Sequence, residues 1–220
     1  MGNGYTRWKR KAITVAISLY NSILQYGSKF STSLYEDPKK IIGELDIFSS
    51  KWRPYNPRKK PGREGLSVYS LDGGFSGIPD LDSIREYCIN NRVRLSEMSF
   101  DKPTEAARVA ATYIEPFEGH VGRSHFIRMD GGGFFPPHRD DKTIEPKSFR
   151  LLVPLMDMNP PQTWFMLDRE PLLFDHGRAY FINTCMEHTV FSCYPSLFLV
   201  LNIAVNEDTV STLLANMEWK

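Results

Sequence analysis

The chain has 220 residues, a formal net charge of +1 and 41% hydrophobic residues, which is enough for one domain with a sizeable core. Its near-neutral charge gives no reason to expect nucleic acid or an anionic membrane as a partner. The three cysteines, an odd number without the spacing of a disulfide framework, are typical of reduced thiols in a cytoplasmic protein.

The N-terminal segment has three interpretations. Met1-Gly2 followed by Thr6 matches the N-myristoylation pattern, and a basic stretch before an apolar one faintly resembles a signal peptide. A packed amphipathic helix is favoured instead, because four residues fall at helical spacing: Ile13, Ile17, Tyr20 and Leu24. Since no run is long enough to cross a bilayer, we expect a cytoplasmic protein without stable membrane association.

Residues 1–115 are predicted to form helices and loops with one accessory strand. A helix begins at Asp37-Pro38, a capping side chain followed by proline. The sequence shows little strand signal before Leu66–Leu71. Asp80 or Asp82 is predicted to cap a second helix, and a third is predicted from Pro103 to about Tyr113.

Residues 121–206 have a different pattern, and residues 207–220 are predicted to be a C-terminal tail. Short runs rich in β-branched and aromatic residues recur between turn signals: Arg123–Met129, Ser148–Met156, Thr163–Leu167, Arg178–Ile182, Glu187–Phe191 and Leu197–Val205. Strands at this spacing indicate a sandwich or barrel rather than a βαβ layout. The chain is therefore predicted to be one mainly β domain with flanking helices.

Two histidines and an aspartate lie within this β-rich part. His138 and Asp140 are two residues apart, so on one strand both side chains point to the same face. His188 is predicted on a strand that neighbours the first in a jelly-roll barrel. Two imidazoles and one carboxylate hold one face of a ferrous ion and leave the other face open. His138, Asp140 and His188 are therefore the predicted metal ligands and catalytic residues.

Several stretches around these residues form a wider pattern: Trp52–Asn56, Arg63–Ser67, Val121–Arg128, Pro136–Asp140, Phe149–Leu155 and Tyr180–Asn183. Together they resemble the aspartyl/asparaginyl β-hydroxylase-like branch of the 2-oxoglutarate-dependent iron(II) oxygenases. The resemblance implies a double-stranded β-helix (jelly-roll, cupin-like) core that binds Fe(II), 2-oxoglutarate and O2. It also implies hydroxylation of an aliphatic C–H bond, with release of succinate and CO2, in an amino acid, a peptidyl side chain or a small metabolite.

The sequence differs from this family at the position of the residue that binds the distal carboxylate of 2-oxoglutarate. The family usually supplies an arginine on the last strand, but Ser196–Asn202 contains none. Arg150 is the predicted replacement, because an arginine in an otherwise apolar strand needs an anion. Ser196 is predicted to add a hydroxyl contact, and His125 is the third predicted co-substrate contact.

Three alternatives remain open from the sequence. One is a cupin-like metalloenzyme that does not use 2-oxoglutarate, which the missing arginine supports. Another is a non-catalytic barrel that binds a ligand or partner. The third is a zinc site formed by Cys185, His188 and Cys193, although structural zinc normally takes four ligands.

Overall fold

The computed structural model describes residues 19–56, 62–140 and 146–219. Twelve strands run through these residues: β1 (Lys29–Tyr35), β2 (Arg53–Pro54), β3 (Arg63–Ser70), β4 (Lys102–Pro103), β5 (Ser124–Met129), β6 (Phe134–His138), β7 (Ser148–Met156), β8 (Thr163–Leu167), β9 (Glu170–Pro171), β10 (Arg178–Ile182), β11 (His188–Ser192) and β12 (Ser196–Ala204). Residues 19–24 are helical, and further α-helices are α1 (Pro38–Leu45), α2 (Ile84–Asn91), α3 (Ala111–Ile114) and α4 (Glu207–Ala215).

The strands form a double-stranded β-helix. From β5 to β12 the chain crosses between two antiparallel sheets with each strand or hairpin. The large sheet has the order β1-β10-β7-β12-β5-β3-β2, with β4 paired to β3, and the small sheet has the order β6-β11-β8-β9. One apolar cluster draws side chains from both sheets, including Ile127, Phe165 and Phe198. The prediction of a mainly β protein with a jelly-roll core and flanking helices is therefore confirmed.

The large sheet is buried on both faces, which explains its nearly continuous apolar strands. On β12, Leu197, Leu199 and Leu201 pack in the cluster that includes the helices. Phe198 and Val200 point to the other side, into the cluster between the sheets. Because neither face of the sheet is solvated, β12 lacks the alternation of polar and apolar residues that a half-exposed strand shows.

The part of the chain before residue 115 contributes more strand than its sequence indicates. β1 pairs with β10 at the edge of the large sheet, although the sequence shows little strand signal there. The strand is hard to recognise in the sequence because it contains serines and a threonine. Thr32 is fully buried, and its hydroxyl donates to the Ala179 carbonyl at 2.9 Å. Pairing with a distant strand thus overrides a weak local pattern.

The predicted helices are present with altered bounds. Asp37 caps α1 as predicted, accepting from the backbone N–H of Lys39 at 2.9 Å. The cap of α2 is Ser83 rather than Asp80 or Asp82, because the Asp80 carboxylate is buried and accepts from Leu71 N–H. The single helix predicted from residue 103 is instead the short series Glu105–Ala110 (3₁₀), α3 and Glu115–Phe117 (3₁₀).

The two chain ends of the described region pack on this core. Tyr20 is buried and donates from its hydroxyl to Asn183 Oδ1 at 3.0 Å, whereas Ile13, Ile17 and the N-myristoylation-like start lie outside the described residues. The segment expected as a tail contains α4, whose Val210 and Leu213 are buried. No helix among the described residues is long and apolar enough to span a membrane.

Replacing Leu199 by alanine is expected to lower the free energy of unfolding by about 3 kcal/mol, because a fully buried leucine leaves a cavity when truncated. Leu173 is the matched control, since it is 65% exposed, and its change to alanine is expected to cost less than about 0.5 kcal/mol. Urea denaturation measures both values. Equal losses in the two variants would contradict the burial of this face of the large sheet.

Candidate metal centre

The pairing of β6 with β11 brings the two histidines together. His138 and His188 are direct partners in the antiparallel ladder, and their ring centroids are 4.2 Å apart. β6 is an edge strand of the small sheet, so Pro136 and Pro137 interrupt no ladder on its outer side. The prediction that His188 lies on a strand beside His138 is confirmed.

Asp140 reaches the histidines from a loop. The prediction that it shares a strand with His138 is wrong, because β6 ends at His138. Beyond that point the backbone bonds to the loop before β11 instead: Asp140 N–H donates to the Thr184 carbonyl at 3.1 Å. This contact turns the Asp140 carboxylate toward both imidazoles.

Both imidazoles are oriented by a hydrogen bond to the backbone carbonyl two residues earlier in the chain. Nδ1 of His138 lies 2.7 Å from the Pro136 carbonyl oxygen, and Nδ1 of His188 lies 3.1 Å from that of Met186. A carbonyl only accepts, so each Nδ1 carries the proton and donates it. Each Nε2 then keeps its lone pair, which is the tautomer that a metal ligand requires.

The three side chains converge as a metal site would require. Asp140 Oδ1 lies 3.3 Å from His138 Nε2, and Asp140 Oδ2 lies 3.4 Å from His188 Nε2. One ligand atom from each residue lies within 4.8 Å of the others. Two nitrogen donors and one carboxylate fit a divalent transition metal such as Fe(II).

The charge state of each ligand follows from its surroundings. Burial alone would raise the pKa of the Asp140 carboxyl, but the Arg150 charge and the contact with His138 hold it well below its usual range. Burial lowers the pKa of His188. For His138, burial acts in the same direction, yet the contact with Asp140, the Asp140 charge and the Pro136 carbonyl together outweigh it and raise the pKa. Asp140 is therefore ionised at neutral pH.

Arg150 lies next to the cluster of His138, Asp140 and His188 and is held from the large sheet. Its Nη1 forms an ion pair with Asp140 Oδ2, and its Nε donates to Asn202 Oδ1 at 3.0 Å. Arg150 and Asn202 are partners in the β7–β12 ladder. The charge of Arg150, for which the sequence suggests no partner within the chain, is thus paired with the Asp140 carboxylate. Co-substrate binding by Arg150 stays a prediction.

A cavity of about 1080 Å³ is lined by His138, Asp140, His188 and Arg150. Its inner wall is apolar and comes from both sheets, including Ile127, Phe165 and Phe198. Its outer part reaches α2 and residues 93–97. The volume is at the upper end of the range for small-molecule sites.

The other predicted contacts differ in position. His125 lines the cavity, and its Nδ1 has no hydrogen-bond partner among the described residues. Burial, followed by the charges of Arg123 and Arg150, lowers its pKa well below the usual value, so it is neutral. Ser196 is not part of the cavity wall that the described residues form. Its hydroxyl accepts from Ser192 Oγ at 2.9 Å.

The cysteines stay apart from the ligands. Cys193 is exposed and Cys185 is half-buried against the core, and the one metal-binding group found among the described residues includes neither. The zinc alternative therefore has no geometric support there.

Arg63 on β3 is among the charged residues of the cavity that sequence reasoning missed. The signal was present, because Arg63 precedes Gly65-Leu66-Ser67-Val68 in a strand that is almost entirely buried. The same argument that singles out Arg150 applies to it.

No protein-family model matches the chain, and no curated protein sequence matches it. Among solved structures, the chain is similar to a prolyl-4-hydroxylase from Pseudomonas putida, with 10% identity, a TM-score of 0.48, and 87% of this chain and 99% of that chain covered. It is also similar to a Trichoplax adhaerens prolyl hydroxylase in complex with a hypoxia inducible factor peptide fragment, with 10% identity, a TM-score of 0.47, and 94% and 96% covered. HygX from Streptomyces hygroscopicus, solved with nickel, 2-oxoglutarate and hygromycin B bound, has 10% identity, a TM-score of 0.47, and 84% and 86% covered. The function therefore has to be argued from the side chains of the site.

Alanine at His138 or His188 is expected to weaken Fe(II) binding by roughly 100-fold or more, because each change removes one of three ligands. Anaerobic isothermal titration calorimetry measures the dissociation constants. His120→Ala is the control, since His120 lies outside the cavity and contacts Asn206. Fe(II) affinity that is unchanged in His188→Ala would show that the metal, if bound, is held elsewhere.

Proposed function

We propose that the protein is an Fe(II)- and 2-oxoglutarate-dependent dioxygenase that hydroxylates an aliphatic C–H bond. The observation that carries the proposal is the cluster of His138, Asp140 and His188 at one wall of the cavity, with both Nε2 atoms turned to the carboxylate. Such a set binds one face of a ferrous ion and leaves the rest of its coordination sphere for a co-substrate and oxygen.

Fe(II), 2-oxoglutarate and O2, when bound, supply the oxidising power for hydroxylation, with release of succinate and CO2. The chain itself holds and orients these reagents. His138 and His188 present their Nε2 atoms to the site because their Nδ1 atoms are committed to backbone carbonyls. Arg150 keeps Asp140 ionised and fixes its carboxylate from the opposite sheet. Ile127, Phe165 and Phe198 keep the inner wall apolar and so limit the access of water.

The substrate that we propose is an amino acid, a peptidyl side chain or a small metabolite, as the aspartyl/asparaginyl β-hydroxylase-like resemblance implies. The outer part of the cavity supports a substrate that extends beyond the barrel, since it continues past the metal ligands to α2. Apolar side chains there alternate with charged ones, among them Ile89, Val93, Arg85 and Glu97. A mixed wall of this kind suits a substrate with both an aliphatic part and polar groups.

A second candidate is a cupin-like metalloenzyme that does not use 2-oxoglutarate. The observation in its favour is that Phe198 and Val200 lie on the cavity face of β12, where this strand has no cationic side chain. Without an anchor for its distal carboxylate, 2-oxoglutarate would gain little over other oxo acids. This candidate shares the metal site and differs in its co-substrate requirement.

Anaerobic addition of Fe(II) and then 2-oxoglutarate to the protein is expected to produce the weak visible charge-transfer band of the iron–oxo acid chelate. The band reports metal and co-substrate together, before any substrate is known. Asp140→Ala is expected to abolish it, because the carboxylate ligand and its ion pair with Arg150 are lost together.

Two results would separate the candidates. Fe(II) binding by calorimetry without a band, even at saturating 2-oxoglutarate, would reject the dioxygenase and favour the cupin-like enzyme. A band followed in air by slow release of succinate would support the dioxygenase, and succinate release could then be used to screen amino acids, peptides and metabolites.

A further inference from the structure

Arg63 is a buried cation without an acidic partner among the described residues. It is 6% exposed and lines the same cavity as the metal ligands. Its Nε has no hydrogen-bond partner, and no described carboxylate forms an ion pair with it. A buried lone charge costs free energy unless it is matched. Arg63 therefore has unused capacity to bind an anion.

Two aromatic rings hold the guanidinium in place. Its Cζ lies 4.1 Å from the centroid of the Phe135 ring and 5.6 Å from that of Tyr55. Cation–π contacts of this kind offset part of the burial cost, yet burial still lowers the pKa of Arg63. A guanidinium stacked on a ring keeps its N–H groups at the edge, where a carboxylate binds them in pairs.

Arg63 faces the inside of the barrel. It is the ladder partner of Met129 on β5, and Ile127, two residues before Met129, lines the cavity. Alternate residues of a strand share a face, so Ile127 and Met129 point the same way. The accessory strand β3 thus brings a positive charge to the interior of the jelly roll.

Two of the five arginines that line the cavity in the described part of the chain, Arg150 and Arg63, have different partners. Arg150 is bonded directly to Asp140. Arg63 contacts the Phe135 ring, and the centroid of that ring is 6.4 Å from that of His138. Arg150 has its Nη1 committed to Asp140 and its Nε committed to Asn202. Arg63 has no acidic partner among the described residues, so it keeps its N–H donors for another carboxylate.

We propose that Arg63 binds the distal carboxylate of 2-oxoglutarate, while Arg150 positions the metal ligand Asp140. This assignment rests on the proposed dioxygenase function and gives the co-substrate an anchor from β3 in place of β12. It differs from the sequence-based prediction, in which Arg150 binds the carboxylate.

The test compares 2-oxoglutarate with 2-oxovalerate, which has a methyl group where 2-oxoglutarate has its distal carboxylate. Both acids are titrated anaerobically into the Fe(II)-loaded protein, with the charge-transfer band as the readout, and the ratio of their dissociation constants isolates the carboxylate contact. In the parent protein 2-oxoglutarate is expected to bind roughly 100-fold more tightly, as a buried charged pair does. In Arg63→Met the ratio is expected to fall to about 1, with Fe(II) affinity unchanged.

Three further variants make the result specific. Arg63→Lys keeps the charge but loses the paired N–H groups, so an intermediate ratio is expected, and it serves if Arg63→Met does not fold. Arg150→Met is expected to weaken both acids and keep their ratio, because it disturbs Asp140. Arg128→Met is the control, since Arg128 also lies over a ring, that of Trp52 at 4.5 Å, but is paired with Glu64 on an exposed surface. Its ratio is expected to equal that of the parent.

The outcomes separate the assignment from the function. If Arg63→Met keeps the parent's ratio of dissociation constants, the assignment is overturned and the proposed dioxygenase function is unaffected. Where only Arg63→Lys folds, the same result in that variant has the same meaning. A ratio that collapses in Arg150→Met alone would return the role to Arg150. A ratio near 1 in the parent would show that no cation recognises the distal carboxylate. The absence of a band with either acid in the parent would reject the proposed function and the assignment together.

Discussion

The ladder between β6 and β11 is the constraint on which the site depends. Placing His138 directly opposite His188 fixes the two imidazoles beside each other. Each ring is then oriented by the backbone carbonyl two residues before it. The path of the backbone therefore fixes the orientation of each ring and leaves Nε2 as the nitrogen with a lone pair. A shift of one residue in this ladder would turn one imidazole away from the cavity. The large sheet, buried on both faces, supplies the rigid wall against which the small sheet holds this register.

Charge matching organises the rest of the cavity. Asp140 is balanced by Arg150, and Arg150 is held by Asn202 across the β7–β12 ladder. A carboxylate so fixed loses little freedom when it binds a metal, which is the advantage of a preorganised ligand. Arg63 has no such match within the described residues, so the cavity carries an excess of positive charge that suits an anionic co-substrate.

The sequence predicted the parts of the molecule whose residues carry their own signal. Ser148–Met156, Thr163–Leu167 and Arg178–Ile182 are strands as expected, because β-branched and aromatic runs between turns favour pairing. β1 was not predicted because its polar residues are buried through hydrogen bonds to a distant strand. The Thr32 hydroxyl, for example, donates to the carbonyl of Ala179, nearly 150 residues away in the chain. The loop position of Asp140 depends on the same kind of distant contact, with Thr184. Long-range hydrogen bonds leave no local pattern, which is why the triad was predictable as a set and its geometry was not.

The missing arginine on β12 has a physical explanation in the accessory strand. Phe198 occupies the cavity face of β12 and packs with Ile127 and Phe165, so a cation there would interrupt the apolar contact between the two sheets. β3 pairs with β5 at the edge of the jelly roll, where Arg63 reaches the cavity over Phe135 and Tyr55 while leaving that contact intact. The core strands thus carry His138, His188 and the interior packing, and the added strand provides the charge. Under the proposed assignment, this division lets the barrel keep an apolar interior and still bind a dianion.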